Sequence, residues 1–243
     1  MQHLLRKQVI LMIVPLLLGN LHSLGQLRNE LNLENHDDKP FHFGIYLGSN
    51  RSHYSFSHHP RFTQYDSVLT VEGINSTGIN LGWLVNFRLG DHFDFRTYPL
   101  NLVFTEKAFL YNLKYPQTQL GEKTDMIKKI QGITLSLPVQ VKFSSDRINN
   151  LKVYMFGGGK AEYDFAASAG EKRAEELIKL DKIDYGIEGG IGFHFYFPVF
   201  VLSPELKIGY GLRNVHVRDS DLKYSNVIDR INSRTITFSL TVE

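Results

Sequence analysis

The 243-residue chain contains no cysteine. That excludes a disulfide framework, a thiolate metal site, a cysteine nucleophile and a lipid-modified cysteine. An excess of one charge is also lacking, with 27 Lys+Arg against 25 Asp+Glu. Arg6 and Lys7 lie in a segment expected to be removed; without them the basic count is 25, equal to the acidic one. A balanced chain without a basic run has no electrostatic footprint for nucleic acid.

Long apolar runs are absent after the N-terminus. The first run, VILMIVPLLL at residues 9–18, follows Arg6 and Lys7. Ser23 and Gly25 then occupy the third-last and last positions before Gln26, so residues 1–25 read as a cleaved secretory signal peptide. A spanning helix needs about 20 apolar residues, and Asn20 and His22 interrupt this run. Any membrane residence must therefore come from strands. Residues 26–40, QLRNELNLENHDDKP, are polar and read as a flexible periplasmic lead-in to a barrel at 41–243.

What the chain does have is alternation. Across residues 183–197, Ile183, Tyr185, Ile187, Ile191, Phe193, Phe195 and Phe197 alternate with Asp184, Gly186, Glu188, Gly190, Gly192, His194 and Tyr196. After a turn at 198–201, Leu202, Leu206, Ile208, Tyr210 and Leu212 alternate with Ser203, Glu205, Lys207, Gly209 and Gly211. Period two marks strands with one apolar and one polar face. The same pattern predicts strands at 41–49, 77–89, 130–143, 151–165 and 233–243. A less regular strand is expected at 93–104, where Pro99 points to a bulge. Residues 50–74, 105–129, 166–182 and 213–232 lose the pattern and read as long loops, with a short helix expected at 174–180.

Eight strands joined alternately by long and short connections predict an all-β fold. The expectation is an eight-stranded antiparallel up-and-down transmembrane β-barrel with long extracellular loops and short periplasmic turns. A soluble barrel would turn its apolar residues inward. Here the polar faces are rich in glycine rather than in the lysine and glutamate of a wet surface. Small residues suit a narrow, filled lumen, and the Leu, Ile, Val and Phe faces suit lipid. Phe87, Phe93, Phe95, Phe143, Phe195, Phe197 and Phe200 would crowd the periplasmic rim as an aromatic girdle.

Charges on the inward face must be mutually satisfied. Arg88, Lys142, Glu188, His194, Glu205 and Lys207 are the expected structural lumen network, with Lys160, Glu162 and Asp164 as further candidates. Pairing Phe197 with Leu202 would set His194 opposite Glu205 and Gly192 opposite Lys207.

No catalytic, metal or cofactor site is expected. His53, His58 and His59, with Ser52, Ser55, Ser57 and Asp66 nearby, invite a lipid-modifying reading, but no spacing singles out a triad. Gly157–Gly159 lacks the following helix that a nucleotide cradle requires. An aqueous porin needs roughly sixteen strands.

At DKPFHFGIYLGSN (residues 38–50), LSLPVQVKF (135–143) and YGIEGGIGFHFYFPVFVLSPELKIGYGLRNV (185–215), the chain resembles the PorT (SprT) proteins of Bacteroidota. The resemblance implies a bacterial outer-membrane barrel in contact with lipid. It also implies a non-enzymatic role in the type IX protein secretion system, serving gliding or protease delivery, with other components of that system as partners. It supplies no catalytic residues. The chain ends in Val242-Glu243 rather than a terminal aromatic, leaving Phe238 as the nearest candidate assembly signal. The alternative is a stand-alone barrel that binds ligand or modifies lipid at its extracellular rim.

Overall fold

The computed structural model describes residues 31–60, 68–116, 123–165, 180–217 and 227–243. Residues 1–25, expected to form a signal peptide, Asp66 and all but Leu180 of the helix expected at 174–180 lie outside the described residues. The strands are β1 (Phe41–His58), β2 (Val68–Ile74), β3 (Ser76–Arg88), β4 (Phe93–Leu113), β5 (Asp125–Ser144), β6 (Leu151–Asp164), β7 (Ile183–Tyr196), β8 (Val201–Gly211) and β9 (Ile228–Val242).

All neighbours pair antiparallel. β1 bonds β3 on one side and β9 on the other, and the order continues through β8, β7, β6 and β5 to β4 and back to β3. β2 continues the line of β3 beyond Asn75 by pairing with the far half of β4, from Val68↔Leu113 to Ile74↔Ala108. The result is a closed barrel of eight staves, as the alternation predicts.

Orientation of the faces follows from what is exposed. Phe43 (65 %), Trp83 (62 %) and Ile208 (60 %) point outward, while Tyr46, Asn80, Gln140 and Ser203 are buried within. An exposed continuous apolar band on a polar-filled barrel belongs in hydrocarbon. Glycines make the interior fit: Tyr154 and Phe156 on β6 lie over the bare backbone of their cross-strand partners Gly192 and Gly190 on β7.

The expected bulge is present. Register slips by one between Trp83/Val85 on the β3 side and between Thr97/Leu102 on the β5 side. Pro99 and Leu100 are both exposed, so the inward set changes from Arg96 and Tyr98 to Asn101. A proline with no N–H to donate is accommodated by this irregularity.

The expected loops at 50–74 and 105–129 are largely strand. β1 runs on to His58, β4 to Leu113, and β5 begins at Asp125. A tilted strand crosses the hydrocarbon in roughly 9–11 residues; β1 has 18 and β4 has 21. Their excess stands in water, where the polarity of the faces inverts. On β9, Thr237, Ser239 and Thr241 point inward near the short-turn end, but Ile231 and Ile228 do so at the far end. On β1 the inward residues change from Asn50 and Ser52 to Tyr54. Tyr54, Val71, Phe109, Tyr111, Leu113, Ile228 and Ile231 form an apolar core inside this extension. Period two persists while its meaning reverses, which is why the segment looked patternless.

Connections at 89–92, 145–150 and 197–200 close one end, and those at 59–67, 114–124, 165–182 and 212–227 the other. The short-turn end is the periplasmic one in barrels of this type.

Candidate functional site: the filled lumen and its mouths

The lumen is built around β4 and β8. Arg96 Nη1 and Nη2 donate to Glu205 Oε1 and Oε2 at 2.7 and 2.9 Å, with the two side chains 1 % and 0 % exposed. Arg96 Nε donates to Gln140 Oε1 at 2.9 Å, and Tyr154 Oη donates to Glu205 Oε1 at 2.7 Å. The guanidinium also lies 4.4 Å from the Phe156 ring centroid. Such a planar fork matches a carboxylate in two parallel bonds, the geometry that best offsets desolvation.

Around this pair the charges form further couples. Gln140 donates to Glu188, whose Oε1 lies 3.9 Å from Lys207 Nζ. Lys207 sits 4.8 Å from the centroids of both the Tyr46 and Tyr98 rings. Lys142 pairs with Asp94 at 2.9 Å, and Lys160 with Glu162 at 2.7 Å. His194 Nε2 lies 3.3 Å from Lys142 Nζ and Nδ1 lies 2.7 Å from Ser203 Oγ. An ammonium can only donate, so Nε2 accepts and Nδ1–H donates to the serine. His194 is thus held as a neutral ring, stacked 4.3 Å from Tyr154.

Five of the six expected network residues, Lys142, Glu188, His194, Glu205 and Lys207, face the lumen. Arg88 does not. Its guanidinium is at the periplasmic rim, bonded to the Asp37 carbonyl at 2.7 Å and to the Asp38 and Asp91 carboxylates at 3.1 and 3.0 Å. The expected register is also off by two residues. Phe195, not Phe197, pairs with Leu202, so Gly192 faces Glu205 and Gly190 faces Lys207. The chain turns through 197–200 instead, with Phe197 N–H donating to the Phe200 carbonyl and the two rings stacked at 4.9 Å. A shift of two keeps every side chain on its face and changes its neighbour, so His194 meets Ser203 and Glu205 is left to Arg96.

Sequence reasoning missed Arg96, Asp94, Gln140 and Tyr154. The signal was present in β4 as Asp94, Arg96 and Tyr98 alternating with Phe93, Phe95 and Thr97. The parity change at Pro99 hid it.

At the periplasmic mouth, residues 32–37 bond to the barrel end. Asn32 Nδ2 donates to the Tyr196 carbonyl at 2.9 Å, and Arg147 donates to the Asn32 and Leu33 carbonyls. Tyr196 Oη donates to Asp37 Oδ1 at 2.7 Å, and Lys152 lies 3.6 Å from Asp37 Oδ2. His36 stacks on His42 at 4.4 Å. Together these residues roof a cavity of about 20 Å³ that His194 and Lys142 line from within. Burial pushes the Asp37 carboxyl up, but His36, the Tyr196 hydroxyl and the Lys152 charge outweigh it and hold the group well below the usual carboxylate range.

At the opposite mouth, Ser52 is buried inside the barrel, and alternation turns His53 outward. Ser52 is therefore on the face opposite His53, while Ser55 and Ser57 share the face of His53. Among the described residues, no group of three or more His, Asp or Glu side chains could hold a metal ion.

A closed eight-stave barrel with an apolar outer band and an ion-paired lumen is a bacterial outer-membrane barrel of the small type. The model of the outer membrane protein beta-barrel domain family matches residues 25–217, and the chain belongs to that family. Among solved structures it is similar to Neisserial surface protein A, at 11 % identity over 84 % of this chain and 99 % of that one, with a TM-score of 0.39. It is also similar to OprG from Pseudomonas aeruginosa, at 9 % identity over 82 % and 92 % with a TM-score of 0.42. Ail from Yersinia pestis is similar at 12 % identity over 82 % and 96 %, with a TM-score of 0.36. No curated protein matches the chain.

Proposed function

We propose that this barrel is a non-enzymatic component or accessory of the type IX secretion system, supporting export of secreted proteins through contacts at its loops or periplasmic turns. The observation that carries a contact role is the filled lumen: Arg96, Glu205, Tyr46 and Tyr98 are fully buried across it, leaving cargo no room to pass. A barrel that conducts nothing acts through its surfaces. The secretion system itself is supported by the resemblance of residues 38–50, 135–143 and 185–215 to PorT proteins. On this reading the chain is exported with residues 1–25 removed, Gln26 begins the mature protein, and the lumen charges serve packing.

Deleting the gene and comparing the secreted proteome tests the role. Loss of export, restored by a copy carrying alanine at His53, His58 and His59, is expected. Unchanged export refutes it. Intact-mass measurement of the membrane-extracted protein checks the mature N-terminus.

A further inference from the structure

The outer wall carries a site that the lumen does not explain. Across β1, β3, β4 and β5, outward residues line up in hydrogen-bonded rows, which climb the barrel as the strands tilt. One row is Leu47, Leu81, Leu102 and Leu135; the next is Ser49, Ile79, Phe104 and Ile133. Directly above them stand the pair Arg51↔Thr77 and, on β4, Glu106. The apolar band therefore ends within one row, and that row marks the extracellular edge of the hydrocarbon.

A groove of about 730 Å³ opens in the wall at this edge, with Leu47, Leu81, Ile79, Phe104 and Ile133 below and Thr77 above. Its polarity runs along the barrel axis as that of a lipid does.

Beside its upper end stands a basic pair. Arg51 is exposed on β1 and pairs with Ile236 of β9; two residues further along, His53 pairs with Arg234. The two arginines are thus diagonal neighbours on one face, a spacing of roughly 7–8 Å that long side chains bridge. Arg234 is exposed and held against the wall by Tyr210, with its guanidinium 4.9 Å from the ring and Nη2 donating to Tyr210 Oη at 3.3 Å. Glu106 closes the far side of the groove, so an anion is favoured only at the arginine side.

We propose that this wall binds one phosphorylated, acylated lipid of the outer leaflet, with its phosphate on Arg51 and Arg234 and an acyl chain lying in the groove over Ile79 and Phe104. Occupancy by lipid follows from position, since the lower groove faces hydrocarbon and the arginines sit at headgroup level.

The test is native mass spectrometry of the full mature barrel in neutral detergent, with hexa-acylated diphosphoryl lipid A as probe. The wild type should retain one lipid, and the same lipid stripped of phosphate should be retained at least about tenfold less. Two interfacial arginines are enough for an effect of that size. Arg51→Ala/Arg234→Ala should lose retention similarly, and Arg51→Lys/Arg234→Lys should recover most of it. Ile79→Trp, which fills the groove, should weaken retention with the arginines intact. Each variant is scored only as the heat-modifiable, folded barrel. Equal retention of the dephosphorylated lipid, or an unaffected double alanine variant, overturns phosphate recognition. Unchanged retention by Ile79→Trp overturns the acyl-chain placement. Because the readout is binding by the isolated barrel, its failure leaves the secretion role standing.

Discussion

Arg96 on β4 and Glu205 on β8 meet across the lumen in a two-pronged pair at 2.7 and 2.9 Å, with Tyr154 donating a third bond to the same carboxylate. Three strands separate β4 from β8 in either direction around the barrel, so it is closure of the sheet, not strand pairing, that brings the two side chains together.

Removing one partner leaves the other charge buried, so Glu205→Gln should destabilise the barrel by about 3–5 kcal/mol. Replacing both, as Arg96→Met/Glu205→Leu, should recover much of that loss, since apolar substitutes for a buried pair are often neutral. Urea unfolding in lipid vesicles, run as a double-mutant cycle, measures both. A single variant as stable as wild type would show that the pair is not the lumen's main electrostatic contact.

Gly157, Gly158 and Gly159 should respond differently to alanine. A Cβ on Gly158 would overlap the Val139 carbonyl oxygen, which belongs to the neighbouring strand backbone and cannot yield. At Gly157 and Gly159 the nearest atoms lie 3.8 Å away, an ordinary contact. Gly158→Ala should therefore abolish or strongly slow folding, while Gly157→Ala and Gly159→Ala stay within about 0.5 kcal/mol of wild type, as unobstructed surface changes do. Heat-modifiable gel mobility distinguishes the outcomes.

The roof over the periplasmic mouth should depend on pH through Asp37. Its carboxyl is held below the ordinary range, so its contribution is present above the unfolded value near 4 and lost as pH falls below it. Hydrogen exchange of residues 31–40 should be unchanged between about pH 5 and 8 and rise below about pH 4. Asp37→Asn should exchange fast at neutral pH. Loosening of the wild type already at pH 6 would assign the roof to the histidines instead.

Trp83, the one tryptophan of the chain, points outward and is 62 % exposed. In vesicles, lipids brominated on their acyl chains should quench its fluorescence strongly, and an aqueous quencher should not. Ile208→Lys on the same band should cost about 2–4 kcal/mol near the bilayer midplane. Efficient aqueous quenching would reverse the assignment of the faces.

Alternation made the stave number, the outward face and the Pro99 bulge readable, because a strand's two faces are a local property with period two. It could not identify neighbours. The β7–β8 register differs by two residues from the expected one, a change that preserves every face and so leaves no trace in the pattern. It could not find Arg96, whose parity set ends at the bulge, nor place Arg88, whose partners Asp37, Asp38 and Asp91 gather only at the closed rim.

The segments at 50–74 and 105–129 show the other boundary. Tyr54 and Leu113 do stand between more polar residues, but they point inward with Phe109 and Tyr111, because the barrel has left the membrane there. Local alternation suffices for which residues share a face and for a small closed lumen. Which face meets lipid at each height, and which charges meet across the interior, follows from the closed barrel alone. Both depend on shear and on the surrounding medium, and neither is written in the spacing along one strand.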